Sequence, residues 1–145
     1  MTDAKQMVLL IALPGAGKST LARHMADAAA KENKSCVVCS TDDFFVVDGV
    51  YKFDPVNLFR NHTACQNKAR QACADGVNKI LIDNTNLMKA HRDAYETIAK
   101  DFGYVFECVV VGEFTEDFAK VCAARNLHGV PLQSILKMAR RAELP

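Results

Sequence analysis

The stretch Ile11-Ala12-Leu13-Pro14-Gly15-Ala16-Gly17-Lys18-Ser19-Thr20 decides how the rest of the chain is read. An apolar run, residues 7–13, leads into it, and a helical pattern over 20–32 comes after it, with Leu21, Met25, Ala28 and Ala29 at helical spacing. Strand, glycine-rich turn and helix in that order match the phosphate loop G-x-x-x-x-G-K-[ST] in all but its first position, where Ala12 stands for Gly. Backbone N–H groups of Gly15 to Ser19 have to wrap round phosphate oxygens, so bulky side chains are excluded there. Lys18 supplies a cation to the outer phosphates and Ser19 a hydroxyl ligand for Mg²⁺, while the helix starting near Lys18 adds its positive end. Pro14, Gly15, Ala16, Gly17, Lys18, Ser19 and Thr20 are therefore the expected nucleotide contacts. The chain has no guanine-reading Asn-Lys-x-Asp, which makes ATP the expected nucleotide.

Three more short apolar runs follow, at 35–40, 79–84 and 105–111, each separated from the next by enough residues for a helix. Several are apolar at successive positions, the pattern of strands covered on both faces. Helices are expected at about 56–74, started by Asp54-Pro55 and ended before Gly76; at 88–102, stopped by Gly103; and at 115–126, capped by Thr115. A last helix over 131–141 would place Pro131 at its first position. Strands alternating with helices predict an α/β, doubly wound, mainly parallel sheet of about four strands, with ligands beyond the C-terminal strand ends. Segments 48–55 and 127–130 remain as irregular, mobile loops.

With 145 residues the chain is expected to form a single domain, 1–145, without internal repeats or linkers. Its apolar content of 50% excludes a disordered protein, and its formal net charge of +1 excludes a non-specific nucleic-acid coat. The apolar run at 8–13 is far shorter than the ~20 residues a membrane helix needs, so no membrane partner is expected. Residues 1–6 carry no secretory or transit pattern, and the expected compartment is cytoplasmic. Cys36, Cys39, Cys65, Cys73, Cys108 and Cys122 lie in apolar contexts and read as buried thiols. Cys36 and Cys39 stand three apart in a strand and should point to opposite faces.

Two further strand ends and one helix-loop-helix carry chemistry. After the second run, Ser40-Thr41-Asp42-Asp43-Phe44-Phe45 puts two carboxylates at the mouth of the sheet. Transfer of a phosphoryl group to a hydroxyl needs a proton acceptor there, and since neighbours in an extended segment diverge, one carboxylate faces the cleft. Asp42 is assigned as general base and Asp43 to the turn. Asp83 closes the third run at the position where a carboxylate holds Mg²⁺, and Asn84, Thr85 and Asn86 offer neutral groups for a substrate phosphate or sugar. Arg125 stands in a helix-loop-helix with His128-Gly129-Val130-Pro131, placed to close as a lid over the γ-phosphate. Arg140 and Arg141 read as a solvated face.

Taken together, Leu13-Pro14-Gly15-x-Gly17-Lys18-Ser19-Thr20, Ser40-Thr41-Asp42-Asp43-Phe44, Asp83-Asn84-Thr85-Asn86-Leu87 and Arg125-Asn126-x-His128-Gly129-Val130 resemble the AAA-type P-loop polynucleotide kinase family. That family includes the kinase domains of phage and eukaryotic end-healing enzymes and proteins related to NEDD4-binding protein 2, and the resemblance covers nearly the whole chain. It implies transfer of the ATP γ-phosphate to a 5′-hydroxyl of RNA or DNA, with Asp42 as base, Lys18 and Ser19 at the phosphates and Arg125 on the lid. Two positions depart from the phage pattern: Phe45 holds the place of an Arg that grips the acceptor phosphate, and His128 is nearest to a second lid cation. Two other readings stay open. One is a kinase for a small metabolite, with residues 51–59 folding over the acceptor; the other is an ATP-binding interaction module without catalysis.

Overall fold

The computed structural model describes residues 4–145, with the side chains of Phe45, Val46, Val47 and Tyr51 excepted. Strand β1 (Gln6–Ile11) is followed by α1 (Lys18–Lys31) and β2 (Cys36–Cys39); a 3₁₀ turn, Thr41–Phe45, then leads into two short strands, β3 (Val46–Val47) and β4 (Val50–Tyr51). A second 3₁₀ turn, Pro55–Asn57, runs straight into α2 (Leu58–Ala74). Then come β5 (Lys79–Ile82), α3 (Lys89–Asp101), β6 (Val105–Val110), α4 (Glu116–Arg125) and α5 (Leu132–Arg141). The main sheet has four parallel strands in the order β2-β5-β1-β6. From β1 the chain crosses to the β2 edge, and from β5 it crosses to β6 on the other side. The loop after β1 therefore sits in the crevice that such a reversal opens.

Alternation along β1 divides the core. Met7, Leu9 and Ile11 pack with Cys39, Ile80 and Ile82 against Cys65, Ala69 and Cys73 of α2 and Tyr95, Ile98 and Ala99 of α3. Val8 and Leu10 pack with Leu81 on the opposite face against Ala22, Leu21 and Met25 of α1. Leu13 continues past the strand into a third cluster with Ala119 and Cys122 of α4 and Ile135 and Leu136 of α5. Each fully buried Leu or Ile contributes about 1.5–3 kcal/mol, which fixes β1 at the centre and hence the position of the loop that follows it. Cys36 and Cys39 fall in clusters on opposite faces of the sheet, and all six cysteines are free thiols. Burial pushes the Cys39 thiol up to about 12, so at neutral pH it is a small apolar group.

Boundaries follow local chemistry. Thr115 caps α4 by accepting from the Phe118 N–H, with Glu116 and Asp117 in the first turn. Asp54 caps the 3₁₀ turn ahead of α2 through the Val56 N–H. Two expectations are corrected. Pro131 is the N-cap of α5 at ψ 150°, one position before the first helical residue. The segment expected to be irregular from residue 48 instead begins inside an antiparallel hairpin, with Val46 opposite Tyr51 and Val47 opposite Val50. Its two-residue turn is Asp48-Gly49, both at positive φ, the backbone that a type I′ hairpin turn requires. Among the described residues, no helix is long and apolar enough to cross a membrane.

Candidate active site

The phosphate loop leaves β1 at Ala12, whose N–H donates to the Thr85 carbonyl at 3.1 Å, so the loop is tied to the end of β5 at its first residue. Ala12 is not among the residues of positive φ, which is why Ala serves where the motif has Gly. Gly15 and Gly17 have φ of +84° and +98°, so the two glycines that bracket Ala16 take left-handed backbone. A Cβ on Gly15 would collide with the Cys122 carbonyl of α4, whereas a Cβ on Gly17 would meet nothing within 4 Å. The loop is thus packed against α4 on one side and open at the start of α1.

Lys18 and Ser19, the first residues of α1, converge on Asp83 just beyond β5. Ser19 Oγ donates to Asp83 Oδ2 at 3.0 Å, and Lys18 Nζ stands 3.8 Å from Oδ1. Burial raises the Asp83 carboxyl above its ordinary value, Lys18 and the Ser19 hydrogen bond act in the opposite direction, and the nearby carboxylates of Asp42 and Asp43 raise it further. Asp83 Oδ1 accepts no hydrogen bond although it is buried. A buried carboxylate oxygen with unused lone pairs beside a serine hydroxyl is a fitting donor set for Mg²⁺, so Ser19 and Asp83 are the residues that would hold it. No group of three or more His, Cys, Asp or Glu suited to a metal occurs among the described residues. Two protein ligands agree with an ion that keeps several waters and takes phosphate oxygens.

Asp42 and Asp43 lie in a 3₁₀ turn, where the sequence pattern predicts an extended segment. The turn forms because Asp43 N–H bonds back to the Ser40 carbonyl at 3.2 Å. Asp42 is half-buried and meets the loop after α4: His128 Nε2 lies 3.6 Å from its Oδ2. Asp43 is exposed. The Thr41 N–H, just before the pair, donates to Asn84 Oδ1 at 2.7 Å, so the turn carrying Asp42 is fastened to the segment carrying Asp83.

That bond changes the reading of the Asn84-Thr85-Asn86 segment. Asn84 is 7% exposed and Asn86 3%, and both spend their polar groups on the fold. Asn86 takes φ +50°, an uncommon conformation for a side chain that Asn tolerates, and its Nδ2 donates to the Leu10 carbonyl at 2.8 Å. Arg92 of α3, buried, donates to the Asn86 and Leu87 carbonyls. The Thr85 carbonyl is the acceptor for Ala12. Here the three residues build the floor between β1 and β5, and the two asparagine side chains are unsuited to holding a substrate.

Arg125, the last residue of α4, is exposed, and its guanidinium lies 6.0 Å from the centroid of the Phe118 ring. Asn126 organises the turn beyond α4: its Nδ2 donates to the Ala123 and Val130 carbonyls and its Oδ1 accepts from the Val130 N–H at 2.7 Å. Segment 127–130 is therefore a stapled turn rather than a loose loop. Arg140 pairs with Glu116 at 3.6 Å on the surface. The side chains of Phe45 and Tyr51 lie outside the described residues, and with them the acceptor-side expectations placed there.

The AAA domain family model matches residues 7–145. The chain belongs to the AAA domain family. Human NEDD4-binding protein 2 is 36% identical over 132 residues, 91% of this chain, while this AAA domain spans 7% of that relative's length. Among solved structures, the APS kinase CysC of Mycobacterium tuberculosis in complex with AMPPNP and APS superposes with a TM-score of 0.69 at 18% identity, covering 99% of this AAA domain and 85% of that chain. A chain of the Pnkp1/Rnl/Hen1 complex gives 0.61 at 17% identity, covering 100% and 42%. At these identities the structural likeness establishes the fold alone, one that this chain shares with APS kinase.

His62, His91 and Arg92 carry no signal in the sequence that marks them as site residues, and Asn126 lies within a motif without a role of its own. The histidines sit on helix faces where spacing reports burial alone, so nothing along the chain singles them out.

Proposed function

We propose that this chain is an ATP-dependent kinase that transfers the γ-phosphate to a 5′-hydroxyl of RNA or DNA. One observation carries the reading: Lys18, Ser19 and Asp83 converge at the sheet end while Asp42, fastened through Thr41 to Asn84, stands within electrostatic reach of the same carboxylate. Pro14 to Thr20 would cradle the phosphates, with Lys18 on the outer ones. Ser19 and Asp83 would hold Mg²⁺, which would supply charge neutralisation at the phosphates. Asp42 accepts the proton of the attacking hydroxyl, and Arg125 offsets charge that spreads over the transferring group. Asp43, exposed and closing the turn through its N–H, supports this order of roles.

The motif set from Asp42 to Val130 favours a polynucleotide acceptor, and the setting is cytoplasmic in this reading. The likeness to APS kinase keeps a small hydroxyl substrate as the second reading. Labelled γ-phosphate transfer from ATP and Mg²⁺ to short single-stranded RNA and DNA bearing a 5′-hydroxyl decides between them, with Asp42→Asn as control. Transfer that disappears in the variant supports the proposal. ATP binding without transfer to either strand refutes it in favour of a small acceptor or a binding module.

A further inference from the structure

The chain contains four histidines, and three of them gather round the Asp42 turn although they come from distant segments. His62 of α2 and His91 of α3 stack with ring centroids 5.4 Å apart and planes inclined by 18°. His62 Nδ1 is 3.4 Å from Thr41 Oγ1, and the Asp42 carboxylate acts electrostatically on the same ring. From the other side comes His128, 3.6 Å from Asp42. His91 is exposed and His62 half-buried, so the stack opens outward beside the carboxylate assigned as base. Among the described residues, no carboxylate hydrogen-bonds either stacked ring.

The charged and titratable groups around the pair are mostly engaged elsewhere: Arg92, next to His91, is buried and donates to the Asn86 and Leu87 carbonyls, and His128 lies against Asp42. His62 faces His91 from α3 and Asp42 from the turn, while Asp43 is exposed to solvent. Asp54, ahead of the turn packed on α2, is engaged by Val56 and Asn57, and the Cys39 thiol of β2 stays protonated. On α3, Lys89 and Asp93 pair with each other at 2.8 Å. Two stacked imidazoles repel when both are protonated, and burial together with His91 holds the His62 ring below its ordinary titration range. An anion placed across both rings removes that repulsion and makes protonation favourable. Lys18, the cation of the phosphate loop, is engaged with Asp83 and serves the donor.

We propose that the His62–His91 stack is a proton-gated subsite for the acceptor's phosphate, the group adjoining the hydroxyl that Asp42 deprotonates. The proposal rests on the kinase reading above for the word acceptor, and on the stack alone for the anion. The ligand chemistry is a phosphate mono- or diester next to a free hydroxyl, and its source is either a polynucleotide end or a single nucleotide.

Two measurements test it. The acceptor KM is followed from pH 6 to pH 8 for a 5′-hydroxyl oligonucleotide, the same strand with an uncharged methylphosphonate at the first linkage, and a nucleoside 3′-phosphate. In the wild type the KM for the charged acceptors rises about tenfold or more across that range, as expected when protonated imidazole binds the anion. His62→Gln and His91→Gln flatten that rise and leave the ATP KM unchanged, as does the methylphosphonate strand for the wild type. A pH-dependent KM that survives both substitutions overturns the proposal, as does equal binding of the uncharged strand. The second measurement does not need turnover: the two histidines are titrated by NMR with AMPPNP and Mg²⁺ filling the phosphate loop, with and without nucleoside 3′-phosphate. Both titration midpoints move up by about half a unit or more on addition. Unmoved midpoints overturn the subsite even if transfer occurs, whereas moved midpoints without transfer to any acceptor preserve the subsite and refute the kinase reading.

Discussion

In the proposed reading, the donor half and the acceptor half of the site are built by different means. Phosphate loop, Lys18 and Ser19 are contiguous in the chain; Lys18 and Ser19 meet Asp83 through a part-buried hydrogen bond and an ion pair, and Gly15 of the loop packs against α4. The acceptor side is assembled from Thr41 and Asp42, His62, His91 and His128, four segments spread over most of the chain. Ahead of and at the start of α2, Phe53, Val56 and Phe59 are exposed apolar side chains, the last two more than 80% exposed. One half is a local motif completed by the single distant carboxylate of Asp83. The other is a meeting of segments, joined to the first through the bond from Thr41 to Asn84.

Substitutions that separate the halves test this division. The largest effect is expected from Asp42→Asn, which should lower phosphoryl transfer about 10³-fold through loss of the proton acceptor while leaving the ATP KM in place. Asp43→Asn should cost less than tenfold; the reverse order in a side-by-side kinetic comparison would move the base to Asp43. Lys18→Ala is a donor-side change, expected to cost about 10²–10³-fold with every acceptor. Its melting temperature should stay within a few degrees of wild type, and an unfolded variant would show that Lys18 serves the fold. Gly15→Ala breaks the seam between loop and α4. A left-handed φ of +84° and collision with the Cys122 carbonyl should cost about 1–3 kcal/mol in denaturant unfolding and weaken nucleotide binding.

Two smaller effects concern charge. Asp83 has its folded value raised, so folding favours its protonated form, and at neutral pH its ionisation costs stability. Asp83→Asn should therefore melt no lower than wild type at pH 7.5 while losing Mg²⁺-dependent nucleotide affinity; a drop of more than about 5 °C would show the Lys18 pair to be net stabilising. His62 is the opposite case. Its folded value is lowered, so as pH falls through the ordinary value of 6.5 the unfolded chain takes up a proton that the folded chain resists, and stability declines. His62→Gln should shrink the fall in melting temperature between pH 7.5 and 5.5, and an unchanged fall would place the titration elsewhere.

The contrast also explains which features can be read along the chain. The four main strands, the phosphate loop and the Asp83 strand end are legible because each depends on a few consecutive residues. Asp48-Gly49 is an available signal for the hairpin, hidden because the flanking strands are two residues each. Asn84 and Asn86 mislead because a polar cluster at a strand end looks the same whether it meets substrate or backbone; only the bonds to Thr41 and Leu10 separate the two. The histidine gathering is illegible for a geometric reason. Residues 62 and 91 meet only through the packing of α2 on α3, and residue 128 reaches Asp42 only through the return of the chain after α4.

The contact between Gly15 and the end of α4 bears on how the length of this chain can drift. Gly15 has no room for a Cβ against the Cys122 carbonyl, and Asn126 lies beside the same glycine while stapling the turn to Val130. One residue inserted into α4 would rotate Cys122 and Asn126 by about 100° and push a side chain into the loop. Within the turn that follows, Leu127 is 93% exposed, whereas His128 reaches back to within 3.6 Å of Asp42. Relatives that lengthen this region should carry their extra residues beside Leu127, leaving intact both the register from Thr115 to Asn126 and the approach of His128 to Asp42.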